Sequence, residues 1–256
     1  MNSVYEAVGK LIGQSEPPAF AVFDFDNTCI VNDITEATLA YMARDSLLRD
    51  KSLLGTGFEN ASDKTYSGAV FNHYFELIDN NNIEDAYEFI SKILSGFRPD
   101  EINSLVNKVI QFEGQNITTN TLFGREIAKG LKLREEIIQL MHLCENSGIE
   151  VWIISASIEI LVKEAMKQFN ITGEVIGVRT SIVGGKFTDQ LEQPLSMFEG
   201  KVECIKKYID PDKKPLLGVG DSIYDLPMLE YCETKVVVDR QNALAARAKE
   251  NNWFLM

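Results

Sequence analysis

Histidine is almost absent from this sequence and cysteine is sparse. The 2 histidines are His73 and His142, and the 4 cysteines, Cys29, Cys144, Cys204 and Cys232, stand far apart with no C-x-x-C pair. That pattern argues against a zinc site, which needs clustered nitrogen and sulfur donors. Scattered thiols suit a reducing compartment, where free cysteine packs as a small apolar side chain. No run approaches the roughly 20 apolar residues of a membrane span. The opening MNSVYEAVGKLIGQSEPP holds no continuous apolar stretch, so no secretory leader is expected. Bases are the scarcer charge: 25 Lys and Arg face 38 Asp and Glu, a net charge of −13. Nucleic acid and anionic membranes reward clustered bases, so neither is an expected partner. A soluble cytoplasmic protein is the expectation that remains. An anionic substrate would need a local site that outweighs a repulsive global field.

What the chain does contain is a strand–helix alternation. Short apolar runs at 19–25, 149–155, 173–178, 215–220 and 234–239 are hydrophobic on both parities, as strands buried on both faces must be. Helical periodicity occupies 133–147, 157–169, 200–209 and 241–249. The order predicts an α/β protein with a doubly wound, Rossmann-like parallel sheet. A Gly184-Gly185 pair inside 178–190 predicts a hairpin. One stretch breaks the alternation. Residues 32–132 carry helical patterns separated by Gly, Asn and Pro, and no clear strand. That is too long for a crossover loop. It predicts an all-helical insertion, with residues 1–31 and 133–256 forming the core and Asn80-Asn81-Asn82 a polar turn.

The chemistry gathers where strands end. FDFDNTC (23–29) puts Asp24 and Asp26 just past the first buried strand, at the sheet edge where α/β proteins bind ligands. An acidic turn capped by Thr28 would look the same. LGVGDSIYDLPMLE (217–230) leaves a second buried strand through Gly220 into Asp221, with Asp225 four residues on. Acids are also favoured at a helix start by its dipole. Two such clusters at one sheet edge, however, concentrate negative charge that is costly without a cation. Their oxygen donors suit a hard ion such as Mg²⁺. IISAS (153–157) brings Ser155, Ala156 and Ser157 to the start of a helix, either as an anion cradle or, for Ser157, as a plain N-cap. Lys201 opens an amphipathic helix, a position the dipole disfavours, although a solvated lysine is the commoner reason.

Taken in order, these pieces resemble the haloacid dehalogenase-like superfamily of phosphohydrolases. D-x-D-x-T is present as Asp24-Phe25-Asp26-Asn27-Thr28, the strand-end hydroxyl as Ser155, the G-K step as Gly200-Lys201, and G-D-x-x-x-D as Gly220-Asp221 through Asp225. An insertion directly after the first motif matches the family's helical cap. The resemblance implies a phosphoric monoester hydrolase. Asp24 would attack phosphorus, and Mg²⁺ would lie between Asp24, Asp221 and the main-chain carbonyl of Asp26. Asp26 would act as general acid and base, Ser155 and Lys201 would bind the phosphoryl oxygens, and Asp225 would orient Lys201 or a metal-bound water.

Within the superfamily, DFDNTCIVND is similar to the phosphoserine phosphatase branch, which implies that Asp33 meets a substrate amine. NDITEA and GREIAKGLKLREEI are equally similar to phosphorylcholine phosphatases. AVFNHYFEL (69–77) lacks the cap arginine that would pair with a serine carboxylate; Arg44, Arg49 and Arg98 are the possible substitutes. The insertion holds 15 acids against 10 bases, and 11 aromatics. A carboxylate among aromatic faces suits a quaternary ammonium, although such rings also build a core. Asp33 serves equally well as an N-cap for the helix that follows. The expected substrate is a small phosphomonoester whose alcohol carries a cationic amine: phosphocholine, phosphoethanolamine or phosphoserine. The alternatives are a sugar phosphate, or a phosphate-binding protein without turnover. His73, His142 and Cys29 read as packing residues.

Overall fold

In the computed structural model, which describes residues 3–15 and 18–256, helix α1 (Ser3–Gly13) precedes strand β1 (Phe20–Phe23), a tight loop and the short strand β2 (Ile30–Val31). Four helices follow: α2 (Ile34–Arg44), α3 (Asp63–Asp79), α4 (Ile83–Ile90) and α5 (Pro99–Glu113). A hairpin of β3 (Thr118–Leu122) and β4 (Arg125–Lys129) leads to β5 (Lys132–Leu133), which pairs back onto β2. The alternation then resumes with α6 (Glu135–Asn146), β6 (Glu150–Ile158), α7 (Glu159–Phe169) and β7 (Glu174–Val178). Next come the hairpin of β8 (Thr180–Val183) and β9 (Lys186–Leu191), α8 (Gly200–Tyr208), β10 (Leu217–Gly220) and α9 (Leu226–Tyr231). The chain closes with β11 (Thr234–Val237), α10 (Ala243–Glu250) and β12 (Phe254–Leu255).

Six of these strands form one parallel sheet in the order β12-β11-β10-β1-β6-β7. Strand β1 is central, and its residues alternate between two cores. Ala21 and Phe23 join the larger cluster; Phe20 and Val22 pack on the other face with Ile154, Ile176, Cys204 and Met228. Burial on both faces is why these runs show no polar parity. All four cysteines are buried and unpaired. Among the described residues, no helix is long and apolar enough to cross a membrane.

Register carries the fold to the site. Phe23 lies opposite both Ile153 and Val219, so the end of β1 is in register with β6 and with the end of β10. The N–H of Asp24 still donates to the Val219 carbonyl at 2.9 Å, which ties the two acidic turns side by side.

Two expectations need correction. The insertion is not all-helical, because β3 and β4 pair within it. Their residues are exposed or half-exposed on both faces, so no apolar alternation marks them. The turn between them uses Phe123 and Gly124, both at positive φ, and Phe123 is held there by packing against Phe71. The second correction concerns β6, which does not end at Ser155. It runs to Ile158 through a register irregularity, and Ile158, not Ser157, occupies the N-cap position of α7. The Ile158 N–H donates to Thr35 Oγ1 (3.3 Å), so a tertiary bond holds the backbone extended there.

Candidate active site

The loop after β1 is closed by two residues in left-handed backbone, Asn27 and Asn32, a conformation asparagine tolerates well. The Asn27 N–H donates to the Asn32 carbonyl at 3.1 Å. This curl buries Asp24 to 6% exposure and aims it along the sheet edge. Lys201, 2% exposed, reaches it from the start of α8. Its Nζ donates to Asp24 Oδ1 at 2.7 Å and to Asp225 Oδ1 at 2.6 Å. The dipole-disfavoured lysine therefore exists to bridge two carboxylates. The other oxygen of Asp225 accepts from the N–H groups of Asp221 and Ser222, both at 3.1 Å. Gly220 makes room for this: a Cβ there would lie 2.7 Å from Asp225 Cβ.

Asp26 points to the opposite side of the loop. Its Oδ1 accepts from the Ile34 N–H (2.7 Å), and its Oδ2 accepts from Ser155 Oγ (3.3 Å). Asp33 caps α2 by accepting from the Glu36 N–H at 2.8 Å. Glu36 in turn accepts from the Tyr74 hydroxyl at 2.5 Å. Asp26, Asp33 and Tyr74 line a cavity of about 210 Å³ together with Asp24, Lys201 and Asp225.

Seven of the sequence-derived residues line that cavity: Asp24, Asp26, Asp33, Ala156, Lys201, Asp221 and Asp225. Two do not. Thr28 is fully buried behind Asp221 and donates to its Oδ1 at 3.3 Å. Ser155 is also fully buried; its hydroxyl donates to Asp26 and accepts the Ser157 N–H, while Ser157 itself faces the cavity. The three arginines considered as carboxylate partners are engaged elsewhere: Arg44 with Asp45, Arg49 with Glu101, Arg98 with Asp100. None lines the cavity. Arg240 does, and it pairs with Asp221. Sequence reasoning missed it, together with Phe198 and Tyr224, and had Tyr74 and Tyr87 only as two of the 11 aromatics of the insertion. Arg240 had a usable signal, since it lies three residues past β11, a strand ending at the same sheet edge.

Burial without enough positive charge governs the electrostatics. Asp24 is pushed up to about 8 by burial and by Asp225, against the pull of Lys201. Asp26 is raised well above the carboxylate range by burial, Asp33 and Asp24. Asp33 rises to about 7 through burial and Glu36. Asp221 rises to about 6 through burial and Asp225, with Arg240 opposing. Burial pushes Lys201 down, but Asp225 and Asp24 more than offset it and keep it charged.

The donor set fits a hard divalent cation. One carboxylate oxygen each from Asp24, Asp221 and Asp225 lies within 4.8 Å of the others. Asp225 is fixed by buried Lys201 on one oxygen and by two main-chain N–H groups on the other, whereas Asp221 accepts from the Thr28 hydroxyl and the partly exposed Arg240, so Asp24 and Asp221 are the natural ligands.

A stability prediction follows from the shifts. Asp24, Asp33 and Asp221 have folded-state pKa values of about 8, 7 and 6, above the ordinary 3.8. The native state thus binds more protons than the unfolded chain between about pH 4 and 8, and stability falls as pH rises through that window. Without divalent metal, the melting temperature is expected to be higher at pH 5.5 than at pH 8. Added Mg²⁺ should narrow the gap by stabilising the pH 8 sample. A melting temperature that rises from pH 5.5 to 8 without metal would contradict these shifts.

Comparison with known proteins agrees with the geometry. The family model for haloacid dehalogenase-like hydrolases matches residues 21–230. The chain belongs to this family. Among curated relatives, a phosphorylcholine phosphatase of Pseudomonas aeruginosa is 26% identical over 247 residues, covering 80% of this chain and 68% of that protein. A phosphoserine phosphatase of Mycobacterium tuberculosis is 23% identical over 249 residues, covering 93% and 71%. In structure, this haloacid dehalogenase-like hydrolase superposes on a protein of unknown function from Anaerococcus prevotii with a TM-score of 0.74 at 23% identity, covering 99% of this chain and 91% of that one. A substrate-bound phosphoserine phosphatase gives 0.55 at 15% identity, with 94% of each chain covered. Both likenesses show the fold.

Proposed function

We propose that this hydrolase is a Mg²⁺-dependent phosphomonoesterase working through an aspartyl-phosphate, with residues 32–132 as its cap. The observation that carries the reading is the Lys201 bridge, which holds Asp24 by one oxygen and leaves the other directed at a cavity that also contains Asp221. Asp24 Oδ2 forms a bond to phosphorus as the ester P–O bond breaks. Asp26, held protonated by its raised pKa, donates its proton to the departing alkoxide. The Asp26 carboxylate then takes a proton from water, whose oxygen attacks phosphorus, freeing inorganic phosphate and Asp24. Ser155 holds Asp26 in position, and Lys201 steadies charge on the phosphoryl oxygens. When bound by Asp24, Asp221 and the Asp26 carbonyl, Mg²⁺ supplies positive charge that offsets repulsion between carboxylate and phosphate dianion.

The leaving group should carry a cationic nitrogen. Asp33, Tyr74 and Tyr87 line the same cavity as Lys201, and Glu36 accepts from the Tyr74 hydroxyl. Burial raises the Asp33 pKa to about 7, so a cation there would find a carboxylate short of partners. Phosphocholine, phosphoethanolamine, phosphoserine and a neutral sugar phosphate should be compared at equal Mg²⁺. The cationic esters are expected to lead in kcat/KM. Asp33→Ala should cost them about tenfold more than it costs p-nitrophenyl phosphate, which has no cation to lose. Equal losses on all substrates would make Asp33 a helix cap only. A sugar phosphate ahead of every cationic ester would overturn the substrate assignment while leaving the mechanism.

A further inference from the structure

We infer that Arg240 sets the divalent-cation affinity of this site by competing with the metal for Asp221, an inference that rests on the metal-dependent reading above. The two cations that line the cavity among the described residues are placed differently. Lys201 is buried and locked between Asp24 and Asp225. Arg240 is the cation in contact with Asp221, and its side chain is 40% exposed. Nη1 is its point of attachment, donating to Asp221 Oδ2, while Thr28 donates to Oδ1.

The loop that carries Arg240 does not depend on this ion pair. The Arg240 N–H donates to the Val238 carbonyl at 2.9 Å, and Asn242 Nδ2 donates to the Asp221 carbonyl at 2.7 Å. The guanidinium can therefore leave while the backbone stays. Glu36, whose carboxyl burial pushes up against the opposing pull of Tyr74 and Arg240, is a second acid within the field of the guanidinium. Asp221 thus has two rival partners. A guanidinium on one oxygen both neutralises the carboxylate and repels a divalent ion a few ångströms away. Arg240 is the counter-ion of Asp221 before metal arrives, and metal entry releases it toward the cavity.

The test is calorimetric titration of Mg²⁺ into substrate-free wild type, Arg240→Gln and Arg240→Lys, with circular dichroism confirming that each is folded. Arg240→Gln should bind about tenfold more tightly, the scale on which removing one like charge at 4–6 Å acts. Arg240→Lys keeps the charge and should stay within about twofold of wild type. In wild type, the Arg240 Nε–H resonance should move as Mg²⁺ is added. Equal or weaker binding by Arg240→Gln, or an unmoved resonance, overturns the inference and leaves the metal reading standing. Folded wild type that takes up no Mg²⁺ overturns both.

Discussion

Asp24→Asn is expected to reduce kcat by ~10⁴-fold or more, the order seen when a covalent nucleophile is removed. The amide keeps the shape and can still accept from Lys201, but it cannot attack phosphorus. The fold should survive. Burial and Asp225 push the Asp24 pKa up to about 8, so at neutral pH the native state must take up a proton the unfolded chain does not hold, which costs stability, and asparagine removes that cost. The melting temperature without metal should therefore hold or rise. Single-turnover assays with acid quench should show phosphoenzyme in wild type and none in the variant. A folded variant that keeps most of its activity, with mass spectrometry excluding reversion to aspartate, would remove Asp24 from the mechanism.

Lys201→Met is expected to affect both stability and turnover. Lys201 is the cation shared by Asp24 and Asp225, and both partners are almost fully buried. Removing one partner of a buried ion pair costs about 3–5 kcal/mol, because the remaining charges are left uncompensated. For a chain of this size that is a melting temperature lower by roughly 6–20 °C. The sign with pH is specific. Without the ammonium, whose pull opposes the rise of the Asp24 pKa, Asp24 binds its proton more tightly in the native state, so the deficit should shrink at pH 5.5 and widen at pH 8. Turnover should fall by about 10³-fold, as when a donor to developing charge is lost. A deficit equal at the two pH values would mean that Lys201 acts through packing, not charge.

The residues differ in how far they could be read in advance. Asp24, Asp26, Asp221 and Asp225 were legible because each follows a run apolar on both parities, and such a run must be a buried strand whose end lies at the ligand edge. From the residues alone Lys201 was legible as an anomaly, beside its match to the family's G-K step: helix electrostatics said it was misplaced, and the bridge to Asp24 and Asp225 says why. Ser155 was expected on the phosphoryl oxygens but is buried against Asp26, while Ser157, left open between an anion cradle and a helix cap, faces the cavity. The irregularity that prolongs β6 to Ile158 depends on Thr35, more than a hundred residues away, and no local pattern encodes it. The hairpin of β3 and β4 escaped notice because strands wet on both faces carry no hydrophobic period.

Asp33 shows where the two kinds of information divide. Its cap to Glu36 was open to prediction, since capping is settled within one turn of chain. Its place on a cavity wall with Tyr74 and Tyr87 was not, because helices α3 and α4 bring those rings in by packing. Arg240 belongs to the same class: its ion pair with Asp221 spans two strands of the sheet. By itself, the sequence determined the sheet, the strand-end acids and the order of motifs, all consequences of hydrophobic period and short-range chemistry. The tertiary structure decided which charges neutralise which, which hydroxyls face the cavity and which rings line it with Asp33. Those depend on distances between segments far apart in the chain, and packing alone sets such distances.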